Sequence, residues 1–120
     1  MKSKRTSIPL HTHGALEVLA APLLIVAPFA LGFGELAGAV CIAIGAVLMG
    51  LAISIHDDRG TVPLSTHAEL DYTIATATVL AGIALGIATG NPVVTGFMAG
   101  FGALHMALTA STRFTRPLGA

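Results

Sequence analysis

The sequence predicts an all-α protein: a bundle of four transmembrane helices built by parallel duplication of a two-helix hairpin. Three observations carry that expectation. First, the 120 residues are 54% hydrophobic and only 10% charged, where a soluble domain carries about 25% charged residues. Second, the few charges cluster and leave apolar stretches of membrane-spanning length. Third, the pattern Thr-His-x-x-Leu-acid occurs twice, at Thr12–Glu17 and Thr66–Asp71.

The elements follow from the charges and the chain breakers. No Asp, Glu, Lys or Arg occurs from Val18 to Gly34, from Leu36 to Ile55, or from Tyr72 to Thr112. The last run is too long for one span, and Thr89-Gly90-Asn91-Pro92 divides it as a turn. Helices are therefore expected at about 15–33, 36–55, 70–88 and 93–111. Each is roughly 17–20 residues, or ~26–30 Å, the thickness of the hydrocarbon core. Period-2 alternation is missing, which argues against barrel strands. Gly32-Phe33-Gly34-Glu35 links the first pair, and His56–Leu64, with Asp57, Asp58, Arg59, Gly60 and Pro63, links the second helix to the third. Short links make sequential helices antiparallel neighbours. The whole is one membrane domain, residues 1–120, with repeats at about 10–56 and 64–113.

Inside the spans, Pro22 and Pro28 each remove a helical hydrogen bond and favour a kink that shapes helix 1. Gly82-x-x-x-Gly86 and Gly96-x-x-x-Gly100 permit close helix approach, within the chain or between copies. Phe97 and Phe101 form a ridge, and the lone Cys41, unable to form an internal disulfide, reads as a small core residue. Lys2, Lys4, Arg5, Arg59, Arg113 and Arg116 all fall on one side of the bundle, which makes both termini and the middle loop cytoplasmic. Met1–Arg5 also looks like the start of a signal peptide, with Ala37-Gly38-Ala39 as a cleavage site. Cleavage there would orphan one helix of a duplicated pair, so retention is expected. Six basic and six acidic residues balance, and no nucleic-acid partner is expected. The expected partners are the lipid bilayer and further copies of the chain or a larger membrane complex.

The repeat extends beyond the polar motif. Ala30-Leu31-Gly32-Phe33 matches Ala84-Leu85-Gly86-Ile87 at an offset of 54, and Gly45, Met49, Leu51 and Ser54 match Gly102, Met106, Leu108 and Ser111 at 57. Two spans separate the copies, so both halves face the same way. Ala27-Pro28-Phe29-Ala30-Leu31-Gly32-Phe33 resembles the Ser-Pro-Trp-x-Leu-Gly-Phe segment of SPW-repeat membrane proteins, with Ala for Ser and Phe for Trp. The second copy, Ala81-Gly82-Ile83, lacks the proline. That resemblance implies a small prokaryotic inner-membrane protein and no particular activity.

Ionisable residues in spans are costly and mark function. His13 and Glu17 share a helix face, His67 and Asp71 repeat that spacing, and His105 returns to the same depth on helix 4. Three readings follow. Interfacial polarity would place the acids near the helix starts, with Thr12 and Thr66 as N-caps. A transition-metal or haem site would use His13, Glu17, His67, Asp71 and His105 as ligands. A proton path would use the same groups, but the outer half of the bundle offers only Glu35. No phosphate loop or nucleophile elbow is present. The expected function is an oligomeric inner-membrane scaffold or accessory subunit, with a metal- or haem-binding membrane protein as the alternative.

Overall fold

The computed structural model describes residues 7–56 and 62–115. Lys2, Lys4, Arg5, Asp57, Asp58, Arg59, Gly60 and Arg116, on which much of the orientation argument rests, lie outside the described residues. Four helices form an antiparallel succession: α1 (Leu10–Leu31), α2 (Gly34–Ser54), α3 (Leu64–Thr89) and α4 (Pro92–Ala110). All four are long and apolar enough to cross a membrane. Two short strands, β1 (Ile8–Pro9) and β2 (Thr112–Arg113), pair in parallel and tie the start of α1 to the end of α4.

α1 and α3 begin about one and a half turns earlier than the spans expected at 15–33 and 70–88, and the cause is proline. Pro9 and Pro63 hold extended backbone (ψ 148° and 144°) immediately before each helix. A proline fixes φ and has no N–H to offer, so it stops a helix from extending backward. Thr12 and Thr66 are thus inside the first turn rather than at the N-caps, which corrects the expectation drawn from interfacial polarity. The far ends follow the sequence more closely. Gly32 and Gly90 adopt left-handed backbone (φ 68° and 67°) at the C-caps of α1 and α3, a conformation that glycine alone takes without strain. Asn91 accepts from Val93 N–H at 3.1 Å, Pro92 opens α4, and Asn91 Nδ2 donates to Gly32 O at 3.3 Å. That last bond joins the two far turns. With His13 against Asp71 at the near end, it shows that α1 and α3 run in the same direction.

Each helix buries about one residue per turn. α1 buries Glu17, Ala21 and Leu24, and α3 buries Asp71, Ala75 and Thr78 at an offset of 54. α2 buries Cys41, Gly45 and Leu48, and α4 buries Met98, Gly102 and His105 at an offset of 57. Outward faces are apolar: Leu19, Phe29, Ile87 and Leu104 are 73–78% exposed. Soluble proteins do not present such surface on every side. The chain is a multi-pass membrane protein whose solvent along these faces is lipid.

Within each hairpin the backbones touch at glycine. A Cβ on Gly45 would lie 2.9 Å from Leu24 Cβ, and one on Gly102 would lie 2.7 Å from Ala75 O. Gly82 and Gly86 meet Met98 and Thr95 in the same way, so the first small-residue motif packs inside the chain. Gly96 and Gly100 face open space. Phe97 stacks edge-on against the buried Phe33 at 6.0 Å, so the aromatic ridge packs partly inward.

Candidate metal centre

The early helix starts decide the position of the acids. Counting from Leu10 and Leu64, His13 and His67 end the first turn, and Glu17 and Asp71 fall one turn deeper. Neither first turn holds an acid. All four side chains are at most 1% exposed, and His105 is 5% exposed. This is not interfacial polarity. The five residues form one buried cluster between α1, α3 and α4.

Each imidazole directs Nε2 at both carboxylates. His13 Nε2 is 3.0 Å from Glu17 Oε2 and 2.9 Å from Asp71 Oδ2. His105 Nε2 is 2.8 Å from Glu17 Oε2 and 3.2 Å from Asp71 Oδ1. His67 Nε2 is 3.1 Å from Asp71 Oδ2 and 3.6 Å from Glu17 Oε1. Short as the first of those His67 distances is, the alignment is poor, and neither His67 Nε2 nor Glu17 Oε1 has a hydrogen-bond partner among the described residues. His105 Nδ1 also lacks one.

The hydroxyls around the cluster settle which imidazole nitrogen carries a proton. Thr112 Oγ1 donates its single proton to Leu108 O at 2.7 Å. It can therefore only accept from His13 Nδ1, 2.8 Å away. Ser54 Oγ donates to Leu51 O at 2.6 Å and stands 3.5 Å from His67 Nδ1, where it too can only accept. In a neutral imidazole so held, the proton is on Nδ1 and Nε2 is a bare lone pair. Both lone pairs would then face carboxylate oxygens. Buried acceptors set against one another are unfavourable, so the arrangement requires a positive charge between them: extra protons on the imidazoles or a cation.

Sequence reasoning missed three neighbours. Thr112 is brought to His13 by the β1–β2 pairing. Ser54 had a weak signal, its match to Ser111, but no assigned role. Phe114 lies edge-on to His13 at 5.1 Å and tilted over His67 at 6.0 Å, covering the near end of the cluster. His11 and His56 pair with each other at 5.8 Å on the exposed surface and stand apart from the cluster. Glu35 is exposed at the opposite end, and among the described residues no titratable chain connects it to Asp71.

An apolar cavity of about 240 Å³ adjoins the cluster, between α1 and α4, with Glu17 and His105 in its wall. No protein-family model, no curated protein and no solved structure matches the chain.

Proposed function

We propose that the chain is a membrane metal protein that holds one divalent first-row ion among His13, Glu17, His67, Asp71 and His105. The observation that carries this reading is the unpartnered pair, Glu17 Oε1 and His67 Nε2, facing each other across 3.6 Å in the buried interior. Among the described residues neither atom has a hydrogen-bond partner, and one cation between them would satisfy both. Donor atoms of His13, Glu17, His67 and Asp71 all lie within 4.8 Å of one another, and His105 adjoins the group through both carboxylates; ligands bound at about 2.1 Å stand roughly 3.0 to 4.2 Å apart around one ion. The N···O separations here run from 2.8 to 3.6 Å.

Imidazole and carboxylate donors together suit zinc, iron or manganese. Ser54 and Thr112 supply the second hydrogen bond that orients a ligating histidine. A haem is disfavoured, because the three Nε2 atoms converge on carboxylates at contact distance and leave no gap for a macrocycle. A bound ion with an open position supplies Lewis-acid or redox chemistry.

Protein purified without a histidine tag should contain about one such ion per chain by elemental analysis, and should take up one Co(II) after chelation. The absence of any stoichiometric ion, with thermal stability unchanged by chelation, would overturn the reading. Thr112→Val should keep the fold yet weaken metal binding by about 10- to 100-fold, since it keeps the side-chain volume and removes the hydroxyl that holds His13 Nδ1–H, together with its bond to Leu108 O. Competition against a chelating dye measures this, and wild-type affinity would count against the assigned tautomer.

The proposal places the protein in a bacterial inner membrane with both termini in the cytoplasm. The basic flanks and the likeness of Ala27–Phe33 to the SPW-repeat segment support it. Cysteines introduced at Gly34 and Gly60 in a Cys41→Ser background should be labelled from outside and from inside, respectively; the reverse pattern inverts the topology. The alternative, an oligomeric scaffold or accessory subunit, draws support from Gly96 and Gly100, which none of the described residues covers. It gives no reason for five buried ionisable groups. Subunit counting in bilayers tests self-association separately from metal content.

A further inference from the structure

We propose that the cavity beside the cluster admits a neutral, membrane-dissolved molecule whose hydroxyl- or carbonyl-bearing end meets Glu17 and His105. The function of that end as a further ligand rests on the metal reading above; its binding rests on the cavity alone.

Leu23 of α1 and Leu104 of α4 both line the cavity and are 55% and 74% exposed on the outer face. The opening therefore lies between two helices, on a surface bathed by lipid. Glu17 is seven residues into α1, about 10 Å from its start, so the route reaches the cluster within the span rather than from water. At the near end, Phe114 covers His13 and His67. Access to Glu17 and His105 is thus sideways, from the bilayer.

The walls select the visitor. Apart from Glu17 and His105 they are apolar, with Ala20 at the side and Leu48 at the back. An anion would shed its hydration along apolar walls and then meet the Glu17 carboxylate. A neutral oxygen avoids both costs. The His105 ring lines the cavity, and its buried Nδ1 has no hydrogen-bond partner among the described residues. An apolar cavity of about 150 Å³ holds benzene, so the larger volume here accommodates one substituted ring or the end of a chain.

The test uses the full chain in nanodiscs with 4-butylphenol as probe, measured by equilibrium dialysis against empty discs of the same lipid. Co(II) uptake is measured in parallel. Saturable binding of one phenol per chain is expected, with at least tenfold loss in Ala20→Phe, a smaller loss in Ala20→Leu, and unchanged Co(II) uptake in both. Uptake no greater than that of empty discs overturns the proposal, and so does wild-type binding in both variants. Octanoate binding as tightly as the phenol overturns the selection for a neutral head. Phenol binding without Co(II) uptake defeats the metal reading and leaves the cavity site standing. Co(II) uptake without phenol binding does the reverse. Should Ala20→Phe lose Co(II) as well, Ala20→Leu decides.

Discussion

Asp71→Ala is expected to empty the site of metal and to cause the largest loss of thermal stability of any single change in the cluster. Asp71 is fully buried and lies 2.9, 3.1 and 3.2 Å from the Nε2 atoms of His13, His67 and His105. Of the cluster's two carboxylates it is the one within 3.2 Å of all three; Glu17 stands 3.6 Å from His67. Removing one partner of a buried ionic set costs about 3–5 kcal/mol, because the groups left behind keep their desolvation and lose their counter-charge. Asp71→Asn keeps the volume and removes the charge, so it separates the two effects: metal should be lost while the fold is hurt less. Elemental analysis and thermal unfolding in detergent, with and without added metal, read both. Wild-type metal content in Asp71→Ala would remove the basis for the site.

Gly102→Ala should disable the site without altering any donor. The new Cβ would lie 2.7 Å from Ala75 O and 2.9 Å from Val79 N, and backbone cannot give way as a side-chain tip can. Overpacking of this kind costs about 1–3 kcal/mol. α4 must move away from α3, and His105, one turn further along, moves with it. A displacement of a few tenths of an ångström is large against His105 contacts of 2.8 and 3.2 Å. Co(II) affinity should fall together with stability. Gly96→Ala and Gly100→Ala are the controls: both sites face open space, and alanine's better helix propensity contributes up to about 1 kcal/mol in their favour. If Gly102→Ala behaved like these controls, the close α3–α4 contact would not be what positions His105.

Much of this was legible before folding. The far turns were readable because proline, glycine and asparagine act on their own backbone, as Gly32, Gly90 and Asn91 do. The near ends lie about one and a half turns before the expected spans because hydropathy begins only after the polar Thr-His motif. Pro63 reads as a breaker of the middle loop, and Pro9 marks the start of α1 in the same way. That offset also made Thr12 and Thr66 look like caps and left the carboxylates at the surface in one reading. The pairs His13–Glu17 and His67–Asp71 needed only helical spacing.

What the sequence by itself determined is therefore local: four apolar spans, their turns, and two His–acid pairs each on one helix face. Hydropathy, backbone restriction and a 3.6-residue period all act within a few residues. Only the tertiary structure decided that these faces meet. His105 reaches Glu17 across 88 residues, and Thr112 reaches His13 across 99. Those meetings depend on how far each helix is rotated about its axis, which close backbone contact at Gly45, Gly82 and Gly102 sets. The opposed lone pairs, the Phe114 cover and the lipid-facing cavity all depend on that rotation, and no single helix carries the information to specify it.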